Sequence, residues 1–301
     1  MLTTPLILCF EEDHAEASVI AQAAHMRVAL IARHRFPDGE LKLRLPDTLP
    51  ARTVLFRSLH IPNEKLVEVL LVAGSARGLG AEHLTLVAPY LAYMRQDMAF
   101  QSGEVVSQRV VGRFLANLLD AVITVDPHLH RVATLQEAVP VPQAIVLSGA
   151  PLLADLIASH YPDALLIGPD EESAQWIAQA AVRHGFDYGV CRKVRHGDRD
   201  VSIELPALSV AGRHVVLLDD VASSGQTLAV AARLLLAAGA ATVDVAVTHA
   251  LFAGDALDII AAAGVGKVWS TDCITHPSNA VSMAGPLAAA LLSLNPSTSA
   301  P

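Results

Sequence analysis

Short apolar runs alternate with helix-forming stretches along the chain, and this rhythm constrains the fold more than any other feature. Strand-like runs read at residues 6–10, 53–58, 83–89, 121–126, 164–168, 214–220, 242–249 and 265–270. Helical stretches read at 15–24, 63–80, 105–119, 151–160, 173–185, 227–238, 256–263 and 286–292. A strand that is apolar along its whole length is buried on both faces, as in a parallel sheet covered by helices. Gly80, Gly185 and Gly239 follow helical stretches and suit left-handed caps. Aromatic residues are only 4% of the chain, so Ala, Leu and Val carry the packing. The expectation is an α/β protein. A seam falls in "AVPVPQAIVLSGAP", where Pro140 and Pro142 break the pattern and a fresh strand–helix series starts. The boundary placed there gives domains 1–146 and 147–301, similar in size and alternation. That likeness is compatible with an internal duplication, which residue identity is too weak to establish.

Charge and cysteine usage narrow the function classes. Thirty acids against 21 Lys and Arg give a net charge of −9, which disfavours a basic nucleic-acid surface. Cys9, Cys191 and Cys273 are far apart, so neither a disulfide framework nor a zinc cage is expected, and a reducing cytoplasm is the simplest setting. The apolar start runs straight into "EEDH", which reads as a first strand and not a signal peptide. No uncharged apolar run reaches the ~18 residues of a membrane span.

The segment "HVVLLDDVASSGQTLAVAARLLLAAGA", residues 214–240, carries the chemistry. In open α/β sheets ligands bind beyond the carboxyl ends of strands. Asp219 and Asp220 stand at such an end, and Ser223, Ser224, Gly225, Gln226 and Thr227 then open a helix. A helix start offers free N–H groups and a positive dipole end to phosphate. The two carboxylates would repel that phosphate, so they suit something neutral or positive beside it, such as sugar hydroxyls or a metal ion. A charged strand end followed by a Ser/Thr cap is the plainer alternative.

Four further segments accompany it. They are "RFPDGELKLRLP" (35–46), "PYLAYMRQD" (89–97), "ITVDPHLHR" (123–131) and "LLIGPDEESAQW" (165–176). A fifth, "VCRKVRHGDRDVSIELP", packs Arg192, Lys193, Arg195 and Arg199 into eight residues of an acidic chain. Taken in order, these resemble the ribose-phosphate pyrophosphokinase family, closest to its archaeal-type branch with a serine in the ribose-phosphate loop. The resemblance covers about residues 36–286. It implies two tandem phosphoribosyltransferase-type domains, each a mainly parallel sheet flanked by helices, with ATP segments in the first and the ribose-5-phosphate loop and catalytic loop in the second.

The reaction implied is transfer of the diphosphoryl group of Mg-ATP to the 1-hydroxyl of ribose 5-phosphate, giving 5-phosphoribosyl 1-diphosphate and AMP. By resemblance Phe36 stacks on adenine, and Asp38 and Glu40 bond its polar edge from a neighbouring subunit, which implies a homo-oligomer, at least a dimer. Arg95 and Gln96 hold the ATP phosphates and sugar, with Asp97 orienting Arg95. His128 contacts the metal-bound ATP, and Asp170 binds Mg2+ or ribose. Lys193 and Arg195 close over the transferring group, a task suited to cations because phosphoryl transfer relies on positioning and charge neutralisation. Asp219 and Asp220 hold the ribose hydroxyls; Ser223 to Thr227 hold the 5-phosphate. The chain departs from the family at Pro127, Glu171, Ser223 and Gln226. A phosphoribosyltransferase that consumes activated ribose, and a non-catalytic scaffold member, are the two alternatives. The first would need no ATP and give Phe36 and Arg95 no role.

Overall fold

The computed structural model describes residues 4–129, 131–195 and 201–294, with the side chains of 193–195 and 201–202 outside that description. Contacts divide the chain into two compact units. One spans residues 1–147 together with the segment from Met283 onward, and the other spans 148–282.

In the first unit the strands are β1 (Leu6–Cys9), β2 (Arg27–Leu30), β3 (Ala32–Arg35), β4 (Leu41–Arg44), β5 (Arg52–Phe56), β6 (His83–Ala88), β7 (Ala121–Val125) and β8 (Gln143–Leu147). Six of them form one parallel sheet in the order β2-β1-β5-β6-β7-β8, and β3 and β4 form a separate antiparallel ribbon. The helices are α1 (His14–Ala23), α2 (Pro62–Ala76), α3 (Ser107–Ala116) and the short α4 (Leu135–Ala138). β1, β6 and β7 are apolar and almost wholly buried, which is why they were readable as strands.

The second unit repeats this plan. It holds α5 (Ala150–His160), β9 (Leu165–Gly168), α6 (Ala174–His184), β10 (Asp187–Val190), the ribbon strands β11 (Arg192–Arg195) and β12 (Val201–Glu204), β13 (His214–Ala222), α7 (Gln226–Ala237), β14 (Thr242–Ala250), α8 (Ala256–Ala262), β15 (Val268–Thr271) and β16 (Asn279–Val281). Its parallel sheet runs β10-β9-β13-β14-β15-β16, the same order of first, second, third and later strands as in the first unit. In each unit the antiparallel ribbon follows the second strand. The duplication that residue identity could not establish is thus visible in topology.

The last helix, α9 (Ala284–Ser293), departs from the expected split at residue 146, because it belongs to the first unit. It packs on α1, buries Leu287 and Leu291, and is followed by a hydrogen bond of 2.9 Å from Arg52 Nη2 to the Leu294 carbonyl. Among the described residues no helix is long and apolar enough to cross a membrane.

Candidate active site

The acid pair sits where a parallel strand delivers its carboxyl end. β13 continues two residues past the pair, because Val221 and Ala222 still pair with His249 and Ala250 of β14. Asp219 and Asp220 are half-buried there. Burial pushes the Asp219 carboxyl well above the ordinary carboxylate range, and the charges of Asp220 and Asp170 push it the same way. Asp170 comes from the loop after β9, the neighbouring strand. Its Oδ1 also accepts from the Glu172 amide at 3.1 Å, capping the short 3-10 turn Glu171–Ser173. Acids in that first turn suit the turn's positive end. The fold therefore gathers Asp170, Asp219 and Asp220 into one zone of concentrated negative charge.

The small-residue loop follows directly. Gly225 has φ +72, and a Cβ there would stand 2.9 Å from the Ala256 carbonyl oxygen, so both conformation and space demand glycine. The Phe252 and Ala253 amides donate to the Ala222 and Ser223 carbonyls at 2.9 and 3.0 Å, bracing the loop from the next strand–helix connection. The first helical bond of α7 runs from the Ala229 amide to the Gly225 carbonyl at 2.9 Å. The amides of Gln226, Thr227 and Leu228 precede it and so have no acceptor within the helix. Gln226 is exposed at the helix start. Its side chain therefore does not disturb the backbone that Gly225 shapes.

The first unit places its segments at the same kind of strand end. After β6, residues 94–98 are braced by Gln108 of α3, which is 1% exposed. Its side-chain Nε2 donates to the Met94 carbonyl at 3.1 Å and its amide donates to the Gln96 carbonyl at 3.2 Å. Arg95 is exposed, and Gln96 is half-buried with Nε2 donating to the Met98 carbonyl at 3.0 Å. Asp97 corrects the expectation: its buried Oδ1 accepts from Arg131 Nη1 at 2.6 Å, so it ties the loop to the β7 connection instead of to Arg95.

At that connection Asp126 has φ +37 and His128 φ +43, with the His128 amide donating to the Asp126 carbonyl at 2.9 Å across Pro127. Positive φ at two non-glycine residues is costly and clusters at functional sites. His128 itself is half-buried, and His130 lies outside the described residues.

The β3–β4 ribbon turns through Phe36 to Glu40. The Gly39 amide donates to the Phe36 carbonyl at 2.9 Å, and the Phe36 amide donates to the Glu40 carbonyl at 2.8 Å. Phe36 is 40% exposed and meets His34 edge-on at 4.8 Å; Asp38 and Glu40 are exposed. Lys193 and Arg195 lie on β11, paired in register with Ile203 and Val201. Their side chains, and Arg199 altogether, lie outside the described residues. Gln108 and Arg131 carried no signal in the sequence: a glutamine early in a helix and an arginine in a polar loop are ordinary until the fold shows what they hold.

The architecture and the loop together define a class: two phosphoribosyltransferase-type domains in tandem, one bearing a small-residue helix start beside an acid pair. Residues 6–120 match the family model for the N-terminal domain of ribose phosphate pyrophosphokinase, and residues 142–261 match the model for the phosphoribosyl transferase domain. The chain is 37% identical to the ribose-phosphate pyrophosphokinase of Methanopyrus kandleri over 293 residues, covering 96% of this chain and 99% of that one. It is 34% identical to that of Halobacterium salinarum over 289 residues, covering 95% and 100%. The phosphoribosylpyrophosphate synthetase of Mycobacterium smegmatis superposes with a TM-score of 0.83 at 23% identity, covering 96% of this chain and 98% of that one, and so shares the fold. The chain belongs to the ribose-phosphate pyrophosphokinase family.

Proposed function

We propose that the chain is a ribose-phosphate diphosphokinase. It transfers the β,γ-diphosphoryl group of Mg-ATP to the 1-hydroxyl of ribose 5-phosphate, giving 5-phosphoribosyl 1-diphosphate and AMP. The observation that carries this reading is the Asp219–Asp220 pair set directly before the Gly225-capped start of α7. The free amides at that start, with the Ser223, Ser224 and Thr227 hydroxyls, bind the 5-phosphate. Asp219 and Asp220 accept from the ribose hydroxyls and so orient the 1-hydroxyl toward the β-phosphorus. Arg95 grips the triphosphate through its planar fork, and Gln96 holds the nucleotide sugar. Phe36 stacks on adenine, with Asp38 and Glu40 on its polar edge. The exposure of all three at a ribbon tip suits action across an interface between copies of the chain. Lys193 and Arg195 meet the charge that develops on the transferring group.

The residues present fit Mg2+. No closed cage of three or more His, Cys, Asp or Glu ligands occurs among the described residues. Magnesium, though, is usually held by one or two carboxylates, waters and substrate phosphates. Burial first, and then the charges of Asp220 and Asp170, raise the Asp219 carboxyl, and a divalent cation would relieve that concentration of negative charge. Asp170 is the carboxylate assigned to it, and His128 the contact on the nucleotide side. When bound, the ion neutralises triphosphate charge. Three buried free thiols suit a reducing cytoplasm as the setting.

The test is AMP release with ATP, magnesium and ribose 5-phosphate. The native protein turns over, and Lys193→Ala loses about 100-fold or more of kcat, the scale of a removed transition-state contact. No AMP from the native protein at any metal or phosphate concentration contradicts the proposal.

A further inference from the structure

The two sheets can be superposed in register. The Ile31 amide donates to the Cys9 carbonyl and the Cys191 amide to the Gly168 carbonyl, each at 2.8 Å, so Cys9 and Gly168 occupy equivalent places. One residue earlier, Leu8 pairs with Leu55 and Ile167 pairs with Leu217. Counting on two residues, Arg57 of the first unit stands where Asp219 stands in the second. The strand end that carries an acid pair in one unit carries an arginine in the other.

That arginine is 2% exposed and fully engaged. Its Nε donates to Glu68 Oε2 at 2.8 Å and its Nη1 to Asp13 Oδ2 at 2.6 Å. Glu68, also fully buried, uses its other oxygen to accept from Arg33 Nη1 at 2.5 Å, and Arg33 Nη2 donates to Glu12 Oε2 at 3.1 Å. Both guanidinium groups lie over the Phe10 ring, at 5.1 Å for Arg33 and 4.5 Å for Arg57. Arg33 belongs to β3, the ribbon that ends in Phe36, Asp38 and Glu40. A two-stranded ribbon has little stability of its own. Nearer its tip Arg35 pairs with Glu64 of α2, and the two line, with Gly39, Leu41 and Val67, a cleft of about 370 Å³. The exposed Arg35–Glu64 pair ties the outer part of the ribbon to α2, and the buried network ties its base through Arg33.

We propose that the network centred on Arg57 and Glu68 is a positioning device for nucleotide binding: it fills the duplicated strand end of the first unit and, through Arg33, fixes the ribbon that carries the adenine-binding residues. This rests on the function proposed above. Arg57 and Glu68 act through Arg33 and touch no substrate. The test uses Arg33, because removing Arg57 would strand two buried carboxylates, whereas Glu68 keeps Arg57 when Arg33 is lost. In the AMP-release assay, Arg33→Ala raises KM for ATP by about tenfold or more, a cost in line with misplaced binding groups. It leaves kcat within about threefold and KM for ribose 5-phosphate within about twofold, since neither the transferring group nor the sugar site moves. Arg33→Lys falls between, because an ammonium cannot bridge two carboxylates in a planar fork. In parallel, amide hydrogen exchange of residues 32–44 speeds up by about tenfold in Arg33→Ala while β1 and β5 are unchanged, a local opening. A KM for ATP unchanged from native, or both KM values rising together, overturns the positioning role. Unchanged exchange in the ribbon overturns the staple itself. An inactive native protein would sink the proposed function alone, since the exchange measurement needs no turnover.

Discussion

The smallest unit of this account is the carboxylate. Asp219 and Asp220 stood out in the sequence because two acids end an apolar run directly before a Ser, Gly and Thr helix start. Their electrostatics were not legible, since Asp170 is 49 residues earlier in the chain and only the pairing of β9 with β13 brings it near. The raised carboxyl of Asp219 has a thermodynamic consequence. A group whose folded pKa exceeds its unfolded value, about 3.9 for Asp, contributes stability that is complete below that value and is lost as pH rises through the folded pKa. Asp219→Asn removes the buried charge, so thermal melts at pH 8 find the variant more stable than native, with the gap closing toward pH 4. The same variant binds ribose 5-phosphate more weakly, a trade of function against stability. Gly225 makes the opposite case. Gly225→Ala meets the Ala256 carbonyl and a positive φ at once. Denaturant unfolding then records a loss of about 1–3 kcal/mol, together with a raised KM for ribose 5-phosphate and an unchanged KM for ATP.

Among elements, the buried parallel strands announced themselves by apolar runs, and the rest did not. β2 and β10 lie at sheet edges: β10 holds Asp187 and Gly189 among only four residues, while β2 went unread although Val28 to Ala32 are apolar. The ribbons β3–β4 and β11–β12 are rich in charge, and their residues read as turns and loops until the registers are seen. The loop that presents Arg95 and Gln96 was identified from its motif, but what stiffens it was hidden. Gln108 reaches it from α3, and Arg131 reaches it from the β7 connection. Gln108→Leu keeps the volume and leaves the Met94 carbonyl without its buried donor. Equilibrium unfolding should register about 1–3 kcal/mol of destabilisation. On the proposed function KM for ATP rises while KM for ribose 5-phosphate stays, because residues 223–227 belong to the other unit.

At the scale of the molecule, the chain is one plan built twice and then made different. The strand orders agree, while the third strand ends in an acid pair in one unit and in a caged arginine in the other. Alternation of runs predicted two domains, and the seam in the proline-marked stretch falls one residue from the structural one, between Leu147 and Ser148. The return of α9 to the first unit was not legible, since an Ala- and Leu-rich helix suits any apolar face. Truncation after Ser282 removes the burial of Leu287 and Leu291, worth about 1.5–3 kcal/mol each. Limited proteolysis of that variant should cut the first unit before the second. The central claim is that this protein makes activated ribose and does not consume it. Phosphorus NMR of the native protein with ATP, magnesium and ribose 5-phosphate tests it most directly. The account predicts AMP and 5-phosphoribosyl 1-diphosphate appearing in equal amounts as ATP disappears; unchanged ATP, or ADP as the product, contradicts it.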